Sequence, residues 1–232
     1  KESSKENQGP IFTSLKSGLG TLVDRIVSHL PTSSIRLSNP VGAITREGAD
    51  WRVQTDSGSE KFSEIILCTP AHITRRLLTP IDPGFDPLLT MDASSAIVIA
   101  FAFSPRETAR MGVPQGFGYL VPSHSTDSGR SLLACTFTNQ KYSDRVPEGA
   151  GLLRAFFGGE GAVTLASASD NELVTLAHQQ LSVALGALPD PSFSIVRRWP
   201  LSLPLYEVGH LERLASIDAL TATLPGLHLL GN

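Results

Sequence analysis

The sequence predicts a mixed α/β (α+β) protein, and three observations carry that reading. Leu15, Leu19, Leu22, Ile26 and Leu30 recur at helical spacing. Short stretches between 41 and 67 are separated by turn residues, as strands are. Ser169 followed by Glu172 opens a second apolar stripe, through Leu173, Leu176, Ala177, Leu181 and Ala184, that stops at Gly186.

In order along the chain, the first stripe predicts a helix over 15–30, ended by Pro31. The segments 35–37, 41–46, 51–55 and 61–67 then read as strands divided by Asn39-Pro40, Gly48-Ala49-Asp50 and Ser57-Gly58. Trp51, Val53 and Thr55 alternate with Arg52 and Gln54, which predicts one covered and one wet face. Ile65-Ile66-Leu67-Cys68 is apolar throughout and suits a strand covered on both sides, after which Thr69-Pro70-Ala71 turns into a short helix. The Pro, Asp and Gly of 80–87 read as a crossing with few core contacts, placing a domain boundary near residue 80. Strands are expected at 94–103, 117–121, 131–138 and 151–158, a helix at 170–185, a strand at 193–199, a helix near 210–222 and a final apolar run at 227–230.

With 232 residues and 41% hydrophobic content, the chain can bury a core without disulfide or metal staples. Nineteen basic against 22 acidic residues give a net charge of −3 and no basic block, which argues against nucleic acid as a partner. The longest strongly apolar segment, 96–103, is far short of the roughly 20 residues of a membrane-spanning helix. Cys68 and Cys135 sit in apolar surroundings and read as two buried free thiols, which fits a reducing compartment. The opening KESSKENQGP is polar, has neither an initiator Met nor a leader-like apolar region, and suggests a piece of a longer chain.

Motifs for phosphate, metal and nucleophilic chemistry are weak. Gly18-Leu19-Gly20 falls within the predicted helix rather than after a strand, and Val23 stands where a third fingerprint glycine would be. Phe157-Gly158-Gly159-Glu160-Gly161 follows a strand but lacks the Lys and Ser/Thr pair of a phosphate loop, so it reads as a tight glycine turn. The six histidines include no H-E-x-x-H pair, two cysteines make no metal array, and no G-x-S-x-G elbow presents a serine. No metal site and no catalytic acid or base is assigned. Arg197-Arg198-Trp199-Pro200 and the punctuated 203–210 that follows are either structural filler or a rigid loop beside a flat ligand.

Seven strings in register, PIFTSLKSGLGTLVDRI, VGAI at 41–44, IILCTPA at 65–71, PQGFGYLVP, YSDRVPEG, FFGGEG and RRWPLSLPLYEVGHLERL, resemble the protoporphyrinogen oxidase family of the flavin-containing monoamine oxidase superfamily. The resemblance implies FAD as cofactor and the oxidation of protoporphyrinogen IX to protoporphyrin IX with O2 as acceptor, in porphyrin and haem biosynthesis. It implies part of a Rossmann-like flavin domain at 10–79, an inserted mixed-sheet substrate domain at 80–204, and a return to the flavin domain at 205–232. Val41 matches the position whose backbone meets the adenine end of FAD, and Thr69, Pro70 and Ala71 match the segment along the dinucleotide. Trp199 matches a tryptophan near the flavin, and Gly231 and Asn232 begin the C-terminal flavin motif. Phe117, Gly118 and Leu120, within 117–120, and the 142–145 loop resemble segments near the tetrapyrrole pocket, Tyr142 standing where relatives usually carry Phe.

The same resemblance places the protein in the cytoplasm or at a membrane periphery, through a region outside these residues, and leaves room for a homodimer. No strand–G-x-G-x-x-G–helix unit occurs in the 232 residues, so the chain by itself is expected to bind FAD weakly or not at all. A related FAD-dependent amine oxidase or desaturase, and a noncatalytic module built from the substrate half, are the other readings.

Overall fold

A computed structural model describes residues 12–122, 131–142 and 144–231. Its elements begin with α1 (Gly20–Val27), a 3-10 turn (Thr32–Ser34), β1 (Val41–Glu47), β2 (Asp50–Thr55), β3 (Gly58–Phe62), β4 (Ile65–Leu67), α2 (Ala71–Leu78) and α3 (Phe85–Leu89). They continue with β5 (Ala93–Phe103), α4 (Pro105–Thr108), β6 (Gly118–Leu120), β7 (Ala134–Phe137), α5 (Thr138–Lys141), β8 (Gly151–Gly158) and α6 (Glu160–Thr164). The last are α7 (Asp170–Leu185), β9 (Phe193–Pro204), α8 (His210–Ala222) and β10 (Leu227–Leu229). The chain forms two compact units, one of Lys1–Pro31 with Ser95–Pro200 and the other of Thr32–Ser94 with Leu201–Asn232.

The first unit is built on a five-stranded sheet in the order β6-β7-β8-β5-β9. Antiparallel pairing of β5 with β8 runs from Ala96 opposite Gly158 to Phe103 opposite Gly151. Because successive side chains alternate between faces, Ile97, Ile99, Phe101 and Phe103 share one face with Leu153, Ala155 and Phe157, and all seven are buried. Leu173, Ala177 and Leu181 of α7 join that core. The predicted capping box forms: Glu172 receives the Ser169 backbone N–H at 2.8 Å, and the Glu172 N–H donates to the Ser169 hydroxyl at 3.3 Å. A second box, Ser104 with Glu107, opens α4 and was not read from the sequence.

The glycine turn after β8 is real. Gly159 adopts φ 55°, and a Cβ on Gly158 would lie 2.6 Å from Leu133 Cδ1. The first predicted helix is shorter than its stripe, and none of its residues is buried. Gly18, at φ 94°, and the N-cap Leu19 stand before α1 and Gly20 is its first residue, so the Gly18-Leu19-Gly20 string straddles the start of the helix instead of lying inside it.

In the second unit β1, β2 and β3 form an antiparallel sheet whose pivot is Trp51, fully buried, with its indole N–H donating to the Pro225 carbonyl at 3.1 Å. The parallel pair β4 and β10 lies in the same unit, with Ile65, Ile66 and Leu67 opposite Leu227, His228 and Leu229. Around these pack Leu77 and Leu78 of α2, Phe85 and Leu89 of α3, and Ile217 of α8.

Several expectations are corrected here. Residues 35–37 form no strand, since the chain leaves a 3-10 turn there. The stretch 61–67 divides into the end of β3 and a separate β4, because the two pair with different partners. Ile66 is 58% exposed, so β4 is not covered on both faces, and Cys68 is exposed rather than buried. The Pro-rich 80–87 does contribute to a core: Phe85 is fully buried on α3.

Candidate functional site

Parallel strands deliver their carboxyl ends to the same side. In open parallel sheets ligands collect just beyond those ends. Here the residues that follow β4, Cys68, Thr69, Pro70 and Ala71, and the residue two past β10, Gly231, line one cleft of about 620 Å³ in the second unit. The Leu230 N–H donates to the Leu67 carbonyl at 2.9 Å, which extends the pairing to the cleft edge. Four of the predicted cofactor residues, Thr69, Pro70, Ala71 and Gly231, are therefore brought together.

A hydroxyl pair fixes the turn. Thr74, 5% exposed on α2, donates its hydroxyl to the Thr69 carbonyl at 3.1 Å. With that proton committed, the 2.8 Å contact between the two hydroxyls must be Thr69 donating to Thr74. Pro70 stands at the N-cap of α2 and offers no side-chain acceptor to the first helical N–H groups, which leaves the positive helix end to meet a ligand. Across the cleft, the Leu205 N–H donates to the Asp92 carbonyl at 2.9 Å, and Arg213 Nη1 donates to the Thr90 carbonyl at 2.6 Å. Leu201, on the same wall, holds φ 45°, a conformation unfavourable for a branched residue and concentrated at binding sites.

A smaller neighbouring cleft of about 280 Å³ shares Thr69, Ala71, Met91 and Gly231 with the first and adds Tyr206 stacked on His210, ring centroids 4.2 Å apart. Among the described residues no three His, Cys, Asp or Glu side chains are placed to share a metal. Both clefts are open enough to bind and orient a ligand.

The other residues expected to meet the cofactor lie elsewhere. Val41 lines a separate cleft of about 400 Å³ in the second unit, with Asn39 and the ion pair Arg36–Glu60. Trp199 is half-exposed on β9 in the first unit. Asn232 lies outside the described residues.

In the first unit, Phe117 and Tyr142 meet through Phe12: the Phe12 ring is edge-on to Phe117 at 5.1 Å and to Tyr142 at 6.2 Å. Lys141 Nζ sits 4.0 Å from the centre of the Phe12 ring, and the Arg145 guanidinium 5.6 Å from that of Tyr142. Leu120 is 82% exposed on β6. Gly118, at φ 142°, has a structural reason to be glycine, since a Cβ there would lie 2.1 Å from the Cys135 carbonyl. Beneath this face burial pushes the Cys135 thiol up to about 12, which removes it as a nucleophile at neutral pH.

Asp92, Met91, Leu201, Phe12 and Lys141 are not singled out by the sequence, whereas Arg145 falls in the 142–145 loop that the resemblance placed near the tetrapyrrole pocket. Lys141 and Arg145 bracket Tyr142 and were legible as cations beside an assigned residue. Asp92 and Leu201 reach the cleft only through the fold.

The chain matches the family described as flavin containing amine oxidoreductase over residues 2–232. It is 28% identical over 221 residues to the coproporphyrinogen III oxidase of Bacillus subtilis, covering 95% of this chain and 46% of that protein. It is 28% identical over 245 residues to the mitochondrial protoporphyrinogen oxidase of Nicotiana tabacum, covering 98% and 48%. The crystal structure of a protein assigned as a protoporphyrinogen oxidase, from Exiguobacterium sp. 255-15, superposes with a TM-score of 0.79 at 30% identity, over 94% of this chain and 47% of that one. Putrescine oxidase bound to putrescine superposes with a TM-score of 0.66 at 17% identity, a likeness of fold alone. The chain thus spans about half the length of the relatives it matches. By the match across nearly its whole length, the chain belongs to the flavin containing amine oxidoreductase family.

Proposed function

We propose that this chain supplies the substrate-binding part and the C-terminal cofactor contacts of an FAD-dependent porphyrinogen oxidase, converting protoporphyrinogen IX to protoporphyrin IX with O2 as acceptor. The observation that carries the reading is the likeness, over nearly the whole chain, to proteins named as porphyrinogen oxidases, at 28–30% identity. FAD, when bound, supplies the hydride acceptor for this oxidation and the route of electrons to O2.

The residues present fit one stretch of such a cofactor. Gly231 has φ 135° and nothing within 4 Å of where a Cβ would stand, so a ligand can approach its backbone closely. Thr69, Pro70 and Ala71 turn into a helix whose first N–H groups favour an anionic or polar partner. Val41 and Trp199 would contribute at other points along the same cofactor. The glycine fingerprint that would cradle a pyrophosphate is not in these 232 residues, and we assign that role to polypeptide outside them. Phe117, Gly118, Leu120 and Tyr142 would position the tetrapyrrole by apolar and aromatic contact, leaving proton transfer to groups outside this chain or to solvent.

Coproporphyrinogen III is the second reading for the substrate. It is favoured by the bacterial relatives, those of B. subtilis and of Staphylococcus aureus, the latter 29% identical over 224 residues. The test is an aerobic fluorescence assay of the intact native polypeptide with protoporphyrinogen IX, coproporphyrinogen III and putrescine. Porphyrin fluorescence rising with either porphyrinogen supports the proposal and assigns the substrate; turnover of putrescine alone overturns it in favour of an amine oxidase.

A further inference from the structure

We propose that Lys141 and Arg145 form a carboxylate-reading pair on the ring cluster of Phe12, Phe117 and Tyr142, selecting tetrapyrroles by the acid side chains at their rim. This rests on the porphyrinogen reading above and adds to it the group that is recognised.

Both cations are stationed by contacts that leave their donors available. Lys141 Nζ lies 4.0 Å from the Phe12 ring centre and 5.6 Å from that of Tyr142. A ring face attracts the charge without consuming an N–H, so an acceptor can still be bound. Arg145 Nη2 donates to the Ser14 hydroxyl at 2.7 Å, while the guanidinium lies 5.6 Å from the Tyr142 ring centre, and a guanidinium carries five N–H donors, more than this one bond uses. Gly18 admits this arrangement: a Cβ there would lie 2.9 Å from Arg145 Nη1.

Neither cation has a carboxylate partner among the described residues, although Asp144 and Glu148 are close in sequence. The chain carries more acids than bases overall, so two cations without acid partners around three rings are not a consequence of surplus positive charge. At the base of the same turn, the Tyr142 N–H donates to the Thr138 carbonyl at 3.0 Å, and the buried Thr138 hydroxyl has no hydrogen-bond partner among the described residues. An apolar ring system with acids at its edge needs aromatic faces beside fixed cations, and all these groups belong to the first unit.

The test is a fluorescence titration of the intact native polypeptide with coproporphyrin III and with its tetramethyl ester, for the native protein and for K141Q, R145Q and the double variant. A charged hydrogen bond is worth about tenfold in affinity, so the free acid should bind about a hundredfold tighter than the ester, falling about tenfold with each substitution. R106Q, at an exposed cation on α4 outside the ring cluster, should leave the acid-to-ester ratio unchanged. That ratio does not respond to a merely structural loss, which weakens acid and ester alike. Equal binding of acid and ester by the native protein, or an unchanged ratio in the double variant, overturns the carboxylate role while leaving the porphyrinogen reading intact. Failure of the native protein to bind either porphyrin overturns both.

Discussion

Replacing Thr74 with Val tests whether the turn that brings Thr69, Pro70 and Ala71 to the cleft is held by its hydroxyl pair. The substitution keeps the side chain's shape at a site 5% exposed, and removes both the donor to the Thr69 carbonyl and the acceptor for the Thr69 hydroxyl. Each net hydrogen bond is worth about 0.5–1.5 kcal/mol, so the variant should lose about 1–3 kcal/mol. Most of the loss is the cost of leaving the Thr69 carbonyl without its partner. Thr74→Ser keeps the hydroxyl and loses one methyl group, costing about 1 kcal/mol through packing alone. Urea unfolding followed by Trp fluorescence measures both, since Trp51 is buried in the same core. The intact polypeptide carrying T74V should also retain less FAD than its T74S counterpart. A T74V protein as stable as the native one, or a T74S protein no better than T74V, would mean that the hydroxyl pair does not hold the turn.

Four further outcomes follow from the same structure. Leu173→Ala should destabilise the first unit by about 2–5 kcal/mol in thermal unfolding, because a fully buried leucine of α7 is removed from a closed core. Gly118→Ala should weaken the pairing of β6 with β7, since a Cβ 2.1 Å from the Cys135 carbonyl cannot be accommodated without strand movement; amide exchange at Tyr119 should rise. Hydrogen bonds from Arg52 and Lys61 hold the Glu47 carboxyl down at about 2, against an unfolded value of 4.5. Its contribution to stability is therefore complete above about pH 4.5 and lost as pH falls towards 2, and Glu47→Gln should flatten the urea midpoint across that range. Iodoacetamide at pH 8 should modify the exposed Cys68 and spare Cys135 until the protein is unfolded, which mass spectrometry of the peptides reads directly.

Local signals located most of the elements. The capping box at Ser169, the stripe behind it and Gly186 fix α7 at both ends, because each is decided by neighbours in sequence. The helix over 210–222 and the strand over 151–158 follow from spacing in the same way. Where pairing decides, the sequence is mute. Nothing local distinguishes one long strand over 61–67 from two short ones with different partners, and nothing local says that Ile66 faces outward while Ile65 is buried. Pro80 to Pro87 misled for a related reason, since turn-forming residues flank a phenylalanine that packs completely.

The site divides along the same line. Thr69, Pro70 and Ala71 were legible as a strand-to-helix turn, and Gly231 joins them through the parallel pairing of β10 with β4. Asp92 and Leu201 were hidden, being distant in sequence from that turn. Gly118 was assigned a ligand role from resemblance, whereas its positive φ and its approach to Cys135 give it a purely backbone reason as well.

The most direct test of the porphyrinogen oxidase reading is the visible spectrum of the intact native polypeptide, loaded with FAD and mixed with a porphyrinogen in the absence of O2. Bleaching of the bound flavin together with the appearance of the porphyrin absorbance is expected, with recovery of the flavin when O2 is admitted. Flavin that stays oxidised with protoporphyrinogen IX and coproporphyrinogen III, but is bleached by an amine, would contradict that reading.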